Sequence, residues 1–179
     1  MKTGDIFFQA FPKWYWYATM IDDLQPSDWT HCGIIYWADK WYKFFLGPWW
    51  VVESFPFVGT WTIPLWLAWV RLFFMKFSIR ELKNRPSPTL FINAALAKIG
   101  KSYDYGFRWQ DGTEYCSELI YDAYAEATGM PVCNPIQVGQ FDAKALIKWH
   151  DKIASLQSGN VYNPNQLIIT PLQIFNETK

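Results

Sequence analysis

The chain is poor in the residues that most often announce a function. Among 179 residues there are three cysteines and two histidines. Three cysteines cannot all pair, and Cys32, Cys116 and Cys133 stand at no metal-ligand spacing. That excludes a disulfide framework, and a zinc site drawn from His31 and these cysteines matches no structural-zinc pattern. No metal or cofactor is expected. Charge of one sign is also lacking: 16 basic residues balance 16 acidic ones, with no basic block. A nucleic-acid partner, which needs a cationic surface, is therefore not expected. Long apolar runs are missing too. Residues 55–77 come nearest, but Pro56, Gly59, Thr60, Thr62, Pro64 and Arg71 interrupt them. They read as strand, loop and strand, not as a spanning helix, and leave membrane-surface contact through their tryptophans open. The opening "MKTGDIFFQAF" has no apolar h-region, so no signal peptide is read in this chain; a leader outside it would leave the same picture.

Aromatic residues are abundant: 12 Trp, 14 Phe and 10 Tyr. That exceeds what one core of this size needs, so some rings are expected to line a groove or surface. The length suits a single domain over residues 1–179. "GDIFFQ" (4–9) reads as a strand, "HCGIIYW" (31–37) as a second, "KWYKFF" (40–45) as its return and "WWVVES" (49–54) as the next, an antiparallel meander. "RLFFMKFSIREL" (71–82) reads as a further strand, and "TLFINAALAKIG" (89–100) as a helix stopped by glycine. Residues 15–30 read as loop towards their polar end. In the tail, residues 143–156 suggest a helix and "QLIITPLQIF" an extended segment.

The stretch "YCSELIYDAYAEATG" is a helix by its apolar spacing: Leu119, Ile120, Ala123, Tyr124 and Ala127 form one stripe, and Gly129 and Pro131 end it. Asp111 or Thr113 is available as its cap. Cys116 falls in the first turn, where unpaired N–H groups and the helix dipole favour thiolate over thiol. The same N–H groups suit an oxyanion. A small buried core residue is the plain alternative for a cysteine there.

A nucleophile needs a base. His150 lies beside Lys148 and Asp151 and reads as solvated surface. His31 opens a strand in which it shares one face with Gly33, Ile35 and Trp37, while Cys32, Ile34 and Tyr36 share the other. If the His31 face meets the Cys116 helix, thiol and imidazole come within reach, and Cys32 is a structural bystander. Glu53, among Val51, Val52 and Phe55, is a carboxylate in apolar company that requires a partner and could orient the imidazole. Taken singly, His31 and Glu53 each have an ordinary structural explanation; their conjunction with Cys116 shifts the balance towards a functional one.

On these residues the chain resembles the YiiX/YebB-like group of permuted papain-fold cysteine peptidases and amidases, relatives of the NlpC-type cell-wall peptidases. "GDIFFQ" is similar to the group's opening strand, "THCGIIY" to its histidine strand, "VVES" to its acidic strand, "IGKSYDYGFRWQDGTEYCSELIYDAY" to its loop and nucleophile helix, and "NPNQLIITPL" to its closing segment. The order His31, Glu53, Cys116 is what permutation implies. The resemblance implies an α+β, circularly permuted papain-like fold, an antiparallel sheet packed on the helix that bears the nucleophile. It assigns Cys116 as nucleophile, His31 as base and Glu53 as orienting group. Tyr103 and Tyr115 fall on the oxyanion and substrate-lining side. The reaction implied is cleavage of an amide (peptide, muropeptide or N-acyl amide) through a thioester. The heavy aromatic load at residues 14–17, 41–50 and 61–74 departs from the group and suits a lipid-like substrate. Lecithin:retinol-type acyltransferases share the permuted fold, but "YCSELI" departs from their Asn-Cys-Glu-His run. A non-catalytic, aromatic-rich binding module is the alternative outside enzymology.

Overall fold

The structure is a computed structural model that describes residues 1–39, 45–71, 76–109, 111–141, 144, 148, 149, 152 and 163–179. The return strand expected over 40–45 falls almost wholly outside the described residues, as do most of the helix expected over 143–156 and His150.

Among the described residues, five strands form an antiparallel sheet: β1 (Ile6–Ala10), β2 (His31–Trp37), β3 (Trp49–Phe55), β4 (Gly59–Pro64) and β5 (Lys76–Arg80), in the order β4-β3-β2-β1-β5. β2 and β3 pair directly, from Trp37↔Trp49 to Ile34↔Val52. Glu53 is thus on the strand next to His31, not the next-but-one. Gly33 makes that pairing close: a Cβ there would lie 2.7 Å from Val51 Cγ1 and 3.1 Å from Glu53 Cβ.

The two faces of the sheet differ. On one, Ile6, Phe8, Cys32, Ile34, Tyr36 and Val52 pack with α3 (Pro88–Leu96) and α4 (Cys116–Thr128), whose Leu119, Ile120 and Ala123 are buried. On the other, Phe7, Ile35 and Val51 pack with α2 (Leu65–Val70). The expectation for the face of β2 is therefore reversed: the Cys32 face, not the His31 face, meets the helix that bears Cys116. A third cluster joins α1 (Trp16–Leu24) to Tyr103, Phe107, Tyr115 and the short β6–β7 pair (Ile136–Gln137, Leu167–Ile168) near the start of α4.

Three helices differ from the sequence reading. Residues 16–24, read as running into loop, form α1. Tyr17, Met20, Ile21 and Leu24 are buried at helical spacing, and that stripe outweighs the polar Asp22-Asp23. Residues 65–70, read as loop and strand, form α2, too short and too uniformly apolar to show a period. The extended tail is only partly so: after β7, Thr170 caps a further helix, α5 (Pro171–Asn176), in a capping box with Gln173 and with Pro171 in its first turn.

Candidate active site

Cys116 is the first residue of α4. Its N-cap is Tyr115, in extended conformation and with no side-chain cap hydrogen bond. Asp111 and Thr113, expected as caps, bond each other instead: Asp111 accepts from the Thr113 N–H at 2.9 Å. The first-turn N–H groups of α4 therefore have no side-chain cap, the condition for a helix start that favours negative charge.

The helix start is held by several anchors. Ser117 Oγ donates to the Ile169 carbonyl at 2.9 Å, and Tyr115 OH accepts from the Ile169 N–H at 3.0 Å. Ser54 Oγ donates to the Glu114 carbonyl at 2.6 Å, tying the segment before the helix to the end of β3. Gly59 makes room for the loop after α3, since a Cβ there would lie 2.2 Å from the Lys101 carbonyl oxygen. Lys98 binds Glu126 at 2.7 Å, Asp122 at 3.4 Å and Glu114 at 3.5 Å, joining that loop to α4.

His31 and Glu53 are fully buried. His31 Nε2 and Glu53 Oε2 are 2.8 Å apart. Glu53 Oε1 accepts from Arg71 Nη2 at 2.7 Å and from Trp61 Nε1 at 3.1 Å. Arg71, the residue that ends α2, stacks over Phe55 at 4.7 Å. The imidazole meets the rings of Phe11 and Phe55 nearly edge-on, at centroid distances of 5.7 and 5.4 Å. Nε2 being taken by Glu53, Nδ1 is the ring nitrogen left over, buried and with no hydrogen-bond partner among the described residues.

Cys116 lies within hydrogen-bonding reach of His31, Cys32 and the Tyr17 hydroxyl. Helix and imidazole belong to opposite faces of β2, yet thiol and ring meet because each opens its element: the β2–β3 ladder stops at Ile34, short of His31. The Cys32 thiol and its backbone N–H lie against the sulfur and hold its pKa well below the usual thiol range; burial opposes this, and the His31 hydrogen bond and charge add to it. Burial pulls the imidazole down, but hydrogen bonds and charge from Cys116 and Glu53 prevail, and its pKa stands at about 9. Burial also penalises the Glu53 carboxylate, but the His31 hydrogen bond and the Arg71 charge outweigh it and hold its pKa below the usual value. The arrangement favours a thiolate beside an imidazolium, with a carboxylate and a guanidinium behind them.

Tyr103 and Tyr115 are placed differently. Tyr103 hydrogen-bonds Tyr17 through their hydroxyls and lines a surface groove of about 310 Å³ with Phe57, Val58 and Tyr105. Burial pushes both hydroxyls well above the usual phenol range, so they remain protonated. Tyr115 turns inward: its hydroxyl is committed to Ile169, and its ring lines a cavity of about 10 Å³ that also touches Tyr17 and Cys116. That is room for about one water.

Three residues of this cluster escaped the sequence reading. Tyr17 was legible from its place on the α1 stripe. Arg71 is the only charged residue between 55 and 75, a lone cation that needed a partner. Cys32 was seen but set on the wrong face.

Residues 1–171 match the family described as permuted papain-like amidase enzyme, YaeF/YiiX, C92 family, and the chain belongs to that family. It is similar to YiiX of Escherichia coli strain K12, described as an uncharacterized protein, at 41% identity over 144 residues. The match covers 79% of this chain and 66% of YiiX, just under two thirds of that relative. The fold is similar to the crystal structure of YiiX from Escherichia coli O157:H7, described as a metalloprotein, with a TM-score of 0.76 and 25% identity, over 99% of this chain and 94% of that one. The permuted papain-like fold expected from the order of motifs is thus the observed one.

Proposed function

We propose that this chain is a cysteine hydrolase that cleaves an amide bond through a thioester, with Cys116 as nucleophile, His31 as acid and base, and Glu53 as the group that orients the imidazole. The observation that carries the reading is the buried His31, with Glu53 on Nε2 at 2.8 Å and the Cys116 thiol in reach of the same ring.

The Cys116 thiolate attacks the carbonyl carbon. The tetrahedral oxyanion is met by the Cys116 N–H, at a helix start without a side-chain cap, and by the protonated Tyr103 hydroxyl. The His31 imidazolium gives its proton to the leaving amine, and neutral imidazole then takes one from the water that releases the acyl group. Glu53 accepts the Nε2 hydrogen throughout and is held by Arg71 and Trp61.

The groove beside Tyr103 favours a substrate whose acyl part is apolar. Phe57 and Val58 stand exposed at its rim, and Trp14, Trp66 and Trp69 are exposed elsewhere. Contact of these rings with a membrane surface belongs to the same reading; among the described residues no helix is long and apolar enough to cross a membrane. The Escherichia coli O157:H7 neighbour is described as a metalloprotein. Among the described residues here, no three His, Cys, Asp or Glu side chains are grouped to hold an ion.

The test is turnover of a panel of aminoacyl, muropeptide and fatty-acyl amides by wild type and by Cys116→Ala. Release of amine by wild type alone, with a trapped acyl-Cys116 in its mass spectrum, is expected. Transfer of the acyl group to an added amine or lipid instead of water would reassign the protein as an acyltransferase. Equal turnover by both proteins would remove the thiol from the mechanism.

A further inference from the structure

Cys32 is fully buried in β2, in the same core cluster as Cys116, one residue from His31. The two sulfurs lie within hydrogen-bonding reach of each other, and the Cys32 N–H reaches Cys116 as well. Neither cysteine is in a disulfide. The triad chemistry requires no second thiol there. A hydrogen bond to the nucleophile could come from a serine hydroxyl, whereas a thiol adds one capacity that serine lacks, bonding to an oxidised sulfur.

We propose that Cys116 and Cys32 form a site of oxidative modification, in which a peroxide oxidises the Cys116 sulfur and the Cys32 thiol closes it into a reversible intramolecular disulfide. The inference rests on the nucleophile reading of Cys116, but its readout is thiol chemistry and not turnover.

In the first step the Cys116 thiolate attacks one oxygen of hydrogen peroxide. An S–O bond forms, the O–O bond breaks, hydroxide leaves, and the sulfur is oxidised by two electrons to a sulfenic acid while the peroxide is reduced. In the second, the Cys32 sulfur attacks the sulfenic sulfur. An S–S bond of about 2.05 Å forms, the S–O bond breaks, and the hydroxyl leaves as water with the Cys32 proton. In total, two thiols and one peroxide give one disulfide and two waters. A small dithiol reverses the change by exchange. Division of labour follows from the surroundings. Contact with Cys32 and His31 keeps Cys116 anionic and hence the sulfur that peroxide attacks. Burial and the neighbouring Cys116 charge keep Cys32 protonated while Cys116 is a thiolate; oxidation to the sulfenic acid removes that charge, and Cys32 then passes its proton to the departing hydroxyl as it attacks. Cys133, at the edge of the same cluster, has its thiol pushed up to about 12 by burial and Glu177 and is a poor competitor.

The experiment treats reduced wild-type protein with a small excess of hydrogen peroxide, blocks remaining thiols under denaturing conditions, and maps peptides by mass spectrometry with and without dithiothreitol. The free thiols should fall from three to one, that of Cys133, with a Cys32–Cys116 peptide pair that dithiothreitol separates. Cys133→Ala should form the same pair. Cys32→Ser and Cys32→Ala should accumulate sulfinic acid at Cys116 that dithiothreitol does not reverse. Sulfinic acid at Cys116 in wild type without the pair, or a Cys32–Cys133 bridge in its place, would overturn the proposal. Both can be read from wild-type protein alone, whether or not the variants fold and whether or not the amidase reading survives.

Discussion

The two faces of β2 have opposite work. Cys32, Ile34 and Tyr36 look towards α4 and are packed in hydrocarbon. His31 and Gly33 look towards Glu53, whose carboxylate is shared among an imidazole, an indole and a guanidinium. The first face fixes where the thiol stands; the second fixes the charge of what it meets. They join only at the end of the strand, where Cys32 directly follows His31 and the ladder with β3 has stopped. Position is set by non-directional packing that tolerates small adjustment. Protonation state is set by a few buried hydrogen bonds that do not, because an unpaired charge in a dry interior is costly.

The largest expected effect is on chemistry alone. Cys116→Ala should abolish turnover while circular dichroism and the unfolding midpoint stay close to wild type, since alanine keeps the Cβ that touches the apolar cluster. Next comes the charged face. Glu53→Ala leaves His31 and Arg71 without their shared acceptor, and the loss of a partner from such a buried pair costs about 3–5 kcal/mol, measurable by urea unfolding. Glu53→Gln keeps an acceptor oxygen and should lower the rate less than Cys116→Ala does. Gly33→Ala sharpens the comparison from the sheet itself. Its methyl must displace Val51 and press on Glu53, and should cost about 1–3 kcal/mol. No loss of stability in Gly33→Ala would mean that the β2–β3 contact is looser than described.

The pH dependence of stability probes the charged face without substituting Cys116. His31 has its folded pKa raised to about 9 from an ordinary 6.5. Its contribution is therefore complete below 6.5 and is lost as pH rises through about 9. The Cys116 thiol, depressed in the folded protein, contributes in the opposite sense as pH rises to the ordinary thiol value, so wild type should be nearly level where the two offset. His31→Gln removes the falling part while Cys32 still holds the thiol down, and its stability should rise with pH across that window; curves parallel to wild type would refute the charged imidazole. The smallest effect expected is that of Tyr17→Phe, which removes a hydroxyl shared with Tyr103 and in reach of Cys116. It should cost about 0.5–1.5 kcal/mol and lower kcat without changing the fold.

Much of this arrangement was legible in the sequence where the pattern was periodic or chemically rare. β2 follows its run of β-branched and aromatic residues over 31–37, and α4 follows its stripe from Leu119 to Tyr124. Glu53 stood out as a carboxylate among valines. What the sequence concealed was relative placement. Alternation shows that Cys32 and His31 face opposite ways, but not which face a helix 80 residues further along will cover. Nor does it show that two residues on opposite faces can meet where a strand ends. Short uniformly apolar segments such as α2 carry no period, so the helix that delivers Arg71 to Glu53 was hidden although the lone charge was visible.

The thiolate absorbance of the protein, titrated against pH in wild type and Cys116→Ala, tests the central claim most directly. The account predicts a difference absorbance already present well below the ordinary thiol range, because contact with Cys32 and His31 stabilises the anion in the folded protein. A difference that appears only near the ordinary thiol value of about 8.5 would contradict it.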